Sequence, residues 1–273
     1  METHQATLVN GSFNTVIPAL DRGLAYGDGV FRTLKIVNGI PVHWPNHYQK
    51  LVEDCSAIGI VCPSADLFIS DFKQMFFTED SVSVAKIIVT RGEGERGYKP
   101  SAITAPLRVT IKSNFPEYQE SYFNEGVHLY LCETRVSTQP KLAGVKHLNR
   151  LDNVLARMEW NDPQLVDGLM LSVDGNVIEC TAANIFARFG NLLLTPKLNT
   201  CGVSGITRKQ ILAHAHTLEL NTKIETMDLK RLLSADEVII CNSLYGAWQV
   251  RSLANKKWKE QPLAANIRGF LSP

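Results

Sequence analysis

The chain has 273 residues, of which 45% are hydrophobic and 20% are charged. This composition is ordinary for a soluble globular protein, and the length suits one large domain or two modest ones. A formal net charge of +1 offers no broad basic surface, so we do not expect nucleic acid binding. No apolar run approaches the roughly 20 residues that span a bilayer, so we expect no membrane association.

The six cysteines are scattered along the sequence and include no CxxC pair. This pattern argues against a structural zinc site. The first residues carry no secretory signal, which is consistent with reduced thiols in a cytosol. We therefore predict a cytoplasmic protein that holds no structural metal.

The first part of the chain alternates strand and turn signals with two helices. Asn10-Gly11 and Asn38-Gly39 are the residue pairs typical of two-residue hairpin turns. The predicted strands are Ala6–Val9, Phe31–Val37, Val84–Thr90 and Leu107–Ile111, and the predicted helices are His47–Ile58 and Asp66–Phe77. A polar segment interrupted by Pro116 then predicts a connection between domains.

The second part contains two more hairpin signals, at Asp174-Gly175 and Gly190-Asn191. Its predicted strands are Val127–Glu133, Leu169–Val173, Asn176–Glu179, Ile185–Arg188, Leu192–Thr195, Lys223–Thr226 and Glu237–Cys241, and its predicted helices are Leu148–Trp160 and Ile206–Leu218. Strands mixed with helices and joined by hairpins favour an α+β fold over a doubly wound parallel sheet.

Three segments carry the chemistry that the sequence suggests. Lys146 lies in the apolar, glycine-containing stretch Leu142–Arg150, Glu179 ends a strand, and Gly202–Arg208 opens a helix. A lysine amine can form a Schiff base with an aldehyde, a carboxylate can hold a proton on a pyridine nitrogen, and a helix start binds phosphate. Each feature alone is ordinary, but together they indicate a pyridoxal phosphate site.

Two other patterns have simpler explanations. The sequence Gly92-Glu93-Gly94-Glu95-Arg96-Gly97 matches GxGxxG, but Pro100 follows it, where a dinucleotide site requires a helix. We interpret the segment as a loop whose arginines could hold substrate carboxylates. His43 and His47 are spaced like a metal pair, but Pro45 lies between them and no third ligand is evident, so we predict no metal site.

With these motifs the chain resembles the fold-type IV pyridoxal phosphate enzymes over nearly its whole length. The N-terminal signature of that group is similar to Asp21-Arg22-Gly23 and Tyr26–Phe31. The segments Arg91–Tyr98, Glu179–Phe186, Gly202–Arg208 and Ile240–Ser243 complete the likeness. His147-Leu148-Asn149-Arg150, after the lysine, resembles the lyases of the group more than its aminotransferases.

The resemblance implies a two-domain α+β fold of the fold-type IV class. We expect a smaller N-terminal α/β domain over residues 1–114, a connection over 115–124, and a larger C-terminal domain over 125–273 that carries the lysine. The implied partners are a small-molecule substrate and a second copy of the chain in a homodimer. The implied reaction converts 4-amino-4-deoxychorismate to 4-aminobenzoate and pyruvate, a step of folate biosynthesis.

The resemblance also implies roles for individual residues. Lys146 is the expected catalytic residue. The expected cofactor-binding residues are Lys146, Glu179, Lys50, Ile206, Thr207 and Ser243, and the expected substrate-binding residues are Arg96, Arg108, Asn242, Tyr26 and Phe31. The group normally places an arginine where this chain has Lys50, so a point charge replaces a planar fork.

Two alternatives stay open at this stage. One is an aminotransferase of the same fold that acts on D-amino acids or branched-chain amino acids. The other is a non-catalytic ligand-binding protein that has kept the fold. The lysine motif favours the lyase over the first, and the pairing of Lys146 with Glu179 in the motif set favours an enzyme over the second.

Overall fold

A computed structural model describes residues 6–76, 82–101 and 105–271 of the chain. The chain divides into two compact units. The first unit comprises Met1–Pro116 and Val145–Asn149, and the second comprises Glu117–Gly144 and Arg150–Pro273. We expected Lys146 in the C-terminal domain, whereas the structure assigns its segment to the first unit.

The first unit is built on an antiparallel sheet. Its elements are β1 (Thr7–Val9), α1 (Arg22–Tyr26), β2 (Gly29–Val37), β3 (Ile40–Pro41), α2 (Trp44–Ala57), α3 (Ala65–Met75), β4 (Val82–Thr90) and β5 (Leu107–Asn114). Within the described residues the strands are ordered β1-β5-β4-β2-β3. The predicted turn between β2 and β3 is confirmed, since Asn38 and Gly39 both have positive φ. Phe77, the expected end of α3, lies outside the described residues.

Strand β2 shows the alternation of a sheet with one covered face. Val30, Leu34 and Ile36 are buried and contribute to a core that α2 and α3 cover. Arg32 occupies the same face and is only 3% exposed, so it places a guanidinium among apolar side chains. A buried charge of this kind requires a partner, and α2 supplies it.

The lysine segment belongs to the first unit because its main chain continues the sheet. The N–H of Phe31 donates to the carbonyl of Lys146 at 3.0 Å, and the N–H of Leu148 donates to the carbonyl of Gly29 at 2.9 Å. Val145 is buried in the core of the same unit. These two hydrogen bonds, which form an isolated bridge between Val30 and His147, hold the backbone of Lys146 against β2.

The second unit contains a larger mixed sheet. Its helices are α4 (Glu120–Asn124), α5 (Leu151–Arg157), α6 (Ile206–His214), α7 (Leu229–Leu233) and α8 (Leu263–Leu271). Its strands are β6 (Val127–Val136), β7 (Leu165–Ser172), β8 (Val177–Cys180), β9 (Asn184–Phe189), β10 (Leu192–Pro196), β11 (Asn221–Glu225), β12 (Glu237–Asn242), β13 (Gly246–Leu253) and β14 (Lys256–Lys257). The described strands are ordered β11-β10-β9-β12-β13-β6-β7-β8, with β14 paired to β13.

The predicted hairpins of this unit are confirmed as the pairs β7–β8 and β9–β10. The predicted helix Leu148–Trp160 is shorter in the structure and spans Leu151–Arg157, because Leu148 is hydrogen-bonded to β2 through its backbone N–H. Strand β13 and helix α8 were not predicted. One antiparallel sheet and one mixed sheet, with separate helices, confirm the α+β class. In the described part of the chain, no helix is long and apolar enough to cross a membrane.

Candidate active site

Lys146 is positioned by both its backbone and its side chain. Its main chain pairs with β2, and its backbone N–H donates to Asp54 Oδ2 at 3.3 Å. Its Nζ lies 4.3 Å from the centroid of the Phe31 ring, within the range of a cation–π contact. The structure therefore brings together two of the residues predicted from sequence, a reactive lysine and an aromatic wall.

Lys50 belongs to a buried cluster of charges beside that segment. Asp54, four residues later on α2, has no exposed surface, and its two oxygens pair with different cations. Oδ1 accepts from Lys50, and Oδ2 accepts from the guanidinium of Arg32. Lys50 was predicted from the sequence as a cofactor ligand, whereas Arg32 and Asp54 were not predicted.

His47 lies in the same part of α2 and is 3% exposed. Burial, and then the positive charges of Arg32 and His43, lower its pKa to about 3. Its Nδ1 is buried without a hydrogen-bond partner. His47 is therefore a neutral core residue at physiological pH.

Glu179 is placed in the second unit by β8 and is 4% exposed. Its Oε2 accepts a hydrogen bond from the N–H of Val203 at 2.8 Å. The neighbouring Gly202 has φ of +84°, and a Cβ there would lie 2.7 Å from Ile178. This loop therefore requires glycine to bring its backbone against the Glu179 carboxylate.

The start of α6 is held by Asn184. The Asn184 amide donates to the carbonyl of Val203 at 2.8 Å, and its oxygen accepts from the N–H of Gly205 at 3.1 Å. The first-turn N–H groups, including those of Ile206 and Thr207, have no acceptor inside the helix and carry its positive dipole end. These two residues are therefore well suited to receive a phosphate group.

Tyr26 lies beside the loop that carries Arg96. Its hydroxyl accepts from the N–H of Gly97 at 3.3 Å, and Arg22 donates to the carbonyls of Gly97 and Tyr98. Arg96 itself is exposed. No helix follows this loop before β5 in the described residues, which agrees with our interpretation of the GxGxxG match.

Asp28 joins this loop to the rest of the first unit. It pairs with both Arg22 and Arg91. Burial alone would raise the pKa of Asp28, but hydrogen bonds from Arg91 and Arg22 outweigh burial and lower it. Arg91 also donates to the carbonyls of Ile58 and Gly59 after α2, so the structure gives it a structural role.

The remaining predicted residues have other contacts. Arg108 is 6% exposed and makes two hydrogen bonds to Asp71, at 2.7 and 2.9 Å. Asn242 accepts from the backbone N–H groups of Leu244 and Tyr245. Ser243 is half-buried in that same turn. Their assignment to substrate or cofactor stays a prediction.

Each unit contributes residues whose chemistry fits one part of pyridoxal phosphate. The first unit offers a positioned lysine and a charge cluster with an excess of one positive charge. The second offers a buried carboxylate and an open helix start. In the described residues no group of three or more His, Cys, Asp or Glu side chains is arranged to hold a metal ion.

Comparison with known proteins identifies the class of protein that these features define. The family described as amino-transferase class IV matches residues 29–253. The chain belongs to this family, whose members use pyridoxal phosphate. The resemblance to the fold-type IV enzymes is therefore confirmed.

Individual relatives include both lyases and aminotransferases. The chain is 35% identical to an aminodeoxychorismate lyase from Vibrio harveyi over 90% of both chains. It superimposes on the crystal structure of 4-amino-4-deoxychorismate lyase from Pseudomonas aeruginosa with a TM-score of 0.92 and 39% identity over 97% of both chains. It is also 26% identical to a D-alanine aminotransferase from Bacillus licheniformis, over 92% of this chain and 89% of that one.

Proposed function

We propose that this chain is a pyridoxal phosphate-dependent lyase that converts 4-amino-4-deoxychorismate to 4-aminobenzoate and pyruvate in folate biosynthesis. The main support for this proposal is that two relatives, with 35% and 39% identity over at least 90% of the chain, are both named as aminodeoxychorismate lyases. The D-alanine aminotransferase shares only 26% identity. The lyase-like sequence after Lys146 also favours the lyase over an aminotransferase.

In the proposed site Lys146 would hold the cofactor through its aldehyde carbon, and Glu179 would pair with its ring nitrogen. The proposed phosphate ligands are Lys50, the backbone of Ile206 and Thr207, the Thr207 hydroxyl, and Ser243. A cation and a helix start together match the charge of a phosphate ester. When bound, the cofactor supplies a sink for the electron pair released at the substrate carbon.

The amino acid side chains then perform the proton transfers. Once released by the substrate amine, Lys146 would act as a neutral base and take the proton from the substrate ring carbon that bears the amine. Glu179 would hold a proton on the pyridine nitrogen of the bound cofactor. The C–O bond to the enolpyruvyl group breaks, the leaving group gains a proton to become pyruvate, and the ring becomes aromatic. Aromatisation makes the elimination favourable.

The substrate carries two carboxylates, for which Arg96 and Arg108 are the proposed ligands. Arg96 is the better candidate, because it is exposed on a loop that Arg22 anchors. A substrate carboxylate at Arg108 must compete with the buried Asp71. Tyr26, Phe31 and Asn242 are proposed as wall residues.

The replacement Lys146→Ala tests the catalytic assignment. We expect the visible absorbance of the lysine-linked cofactor to disappear and turnover to fall by at least about a thousandfold, because the variant loses both its covalent link and its base. Lys141→Ala, at an exposed lysine five residues earlier, is the control and should behave like wild type. Near-normal turnover in Lys146→Ala would refute the mechanism.

Two assays distinguish the lyase from its alternatives. Enzyme mixed with aminodeoxychorismate should release fluorescent 4-aminobenzoate. A parallel reaction with D-alanine and 2-oxoglutarate measures transamination, the second candidate function, which the D-alanine aminotransferase relative favours. A ligand-binding protein without catalysis would show neither product and no absorbance change on adding an amine.

We further propose a cytoplasmic homodimer. Helix α5 supports the assembly, because its apolar residues Leu151, Val154 and Leu155, and Met158 directly after it, are between 50% and 73% exposed. A contiguous apolar face of this kind is typical of an interaction surface. A second copy of the chain is the partner that the family resemblance implies.

A further inference from the structure

Asp54 is the one acid in the buried charge cluster of α2 and β2, and it has no exposed surface. Two cations share its carboxylate: Lys50 on Oδ1 and Arg32 on Oδ2. Arg32 is itself 3% exposed. Burying such charges is costly unless they are paired and hydrogen-bonded, so the three side chains form one electrostatic unit with a formal charge of +1.

The same carboxylate also contacts the lysine segment. Asp54 Oδ2 accepts from the backbone N–H of Lys146 at 3.3 Å. Asp54 therefore touches both first-unit residues that the proposed function assigns to the cofactor: Lys50 through its side chain and Lys146 through its main chain. No sequence motif separates this aspartate from an ordinary helix residue.

The alternative is that Asp54 only stabilises the fold, and the first unit contains a second fully buried acid, Asp71, for comparison. Asp71 accepts two hydrogen bonds from Arg108 and one from the hydroxyl of Thr110. None of these partners belongs to the proposed cofactor set. The Asp54 cluster differs in its partners, and it leaves Arg32 Nε buried without a hydrogen-bond partner.

The identity of the phosphate cation explains why an anchor is needed. A lysine ammonium is a point charge on a flexible stem and lacks the planar fork of arginine. A fixed carboxylate four residues later on the same helix holds that stem in one direction. Asp54 alone would cancel the charge of Lys50, and Arg32 restores the excess positive charge that an anionic ligand requires.

We propose that Asp54, supported by Arg32, is a positioning residue that fixes Lys50 for the cofactor phosphate and the Lys146 backbone for the cofactor aldehyde. This inference rests on the proposed function. Its consequence is that the phosphate ligand and the reactive lysine depend on one carboxylate, so that weakening this carboxylate affects both.

Two cofactor analogues separate these two effects in the replacement Asp54→Asn. Pyridoxine 5′-phosphate has the phosphate but no aldehyde, so its affinity for apoenzyme reports on Lys50. Pyridoxal has the aldehyde but no phosphate, so its absorbance change reports on Lys146. We expect the dissociation constant for pyridoxal phosphate to rise by about 10-fold or more, and both analogues to bind more weakly.

Glu237→Gln is the matched control. Glu237 is a fully buried acid paired with Arg188 in the second unit, and it has no proposed role in the site. It should lower the melting temperature as Asp54→Asn does, while cofactor affinity changes by less than about twofold. Equal cofactor affinity in Asp54→Asn and wild type would show that Asp54 is only structural and would overturn the inference.

If Asp54→Asn acted only by removing a negative charge, it would have the opposite effect on the affinity for the phosphate analogue. If Asp54 only repelled the phosphate, Asp54→Asn would bind pyridoxine 5′-phosphate more tightly than wild type, and this result would also overturn the proposal. A double-mutant cycle with Lys50→Met adds a further test, since the effect on this analogue should vanish when Lys50 is absent. A persistent effect would contradict action through Lys50.

A second variant keeps the test decisive if Asp54→Asn does not fold. Arg32→Gln retains both Asp54 and Lys50 but removes the excess positive charge, so pyridoxine 5′-phosphate should bind more weakly; unchanged binding counts against the proposal. Wild-type protein that forms no lysine-linked cofactor would defeat the proposed function and this inference together. Normal wild-type binding with unaffected variants would defeat the inference alone.

Discussion

At the scale of single residues, Lys50 offers a direct test of cofactor retention. We expect Lys50→Arg to bind pyridoxal phosphate more tightly, because a guanidinium can contact Asp54 and a phosphate through a planar fork. Titration of the apoenzyme with cofactor measures the change, for which a factor of about 3 to 10 is reasonable. Equal or weaker binding would contradict the assignment of Lys50 to the phosphate.

His47 predicts a specific dependence of stability on pH. Its pKa is about 3 in the folded protein and near 6.5 in an unfolded chain. Between these values the unfolded chain binds a proton that the folded protein does not, so stability falls as pH falls from 6.5 towards 3. The slope from this residue approaches about 1.4 kcal/mol per pH unit.

The replacement His47→Gln removes this titration. Urea unfolding at pH 7 and pH 5 should show a wild-type loss that exceeds the loss of the variant by roughly 2 kcal/mol. His216→Gln, at an exposed histidine, should keep the wild-type dependence. Identical pH profiles for wild type and His47→Gln would mean that His47 is not held neutral.

At the scale of elements, helix α5 carries the assembly prediction. Each of its exposed apolar side chains loses contact with water if a second copy covers it, and full burial of one such side chain stabilises by about 1.5 to 3 kcal/mol. We expect Leu155→Glu to convert a dimer into a monomer, because a carboxylate would then be buried without a partner. Light scattering after size-exclusion chromatography gives the mass.

The matched control is Val61→Glu, which introduces the same charge at an apolar residue that is 76% exposed. This variant should remain dimeric. Two observations would count against α5 as the interface: a monomeric wild type, and a Leu155→Glu variant with unchanged mass.

The elements that sequence predicts well are those defined by short-range chemistry. Asn38-Gly39 and Asp174-Gly175 identify hairpins because few residue pairs tolerate the turn geometry. Helix α8 was not predicted, and it is held in part by tertiary contacts with distant parts of the chain. Arg268 supplies such contacts by donating to the carbonyls of Ala247 and Phe123. No local sequence pattern predicts these two hydrogen bonds.

The residues of the candidate site also differ in how well the sequence predicts them, for the same reason. Lys146, Glu179 and the start of α6 lie in recognisable local motifs. Arg32 and Asp54 are 22 positions apart and meet only when α2 packs on β2. One signal was available in the sequence, since strict alternation in β2 places Arg32 on the same face as Val30 and Leu34. A charge on a buried face predicts a buried partner, but the alternation does not say which one.

At the scale of the whole molecule, the division of the chain into two units limits how it can be cut into fragments that fold. The polypeptide leaves the first unit after Pro116, returns for Val145–Asn149, and leaves again. A fragment that stops at Pro116 loses the Lys146 carbonyl that receives the Phe31 N–H, together with the buried side chain of Val145. The first unit is therefore not self-sufficient, so a gene split after Pro116 should give an insoluble first fragment that recovers structure only when the rest of the chain is produced with it.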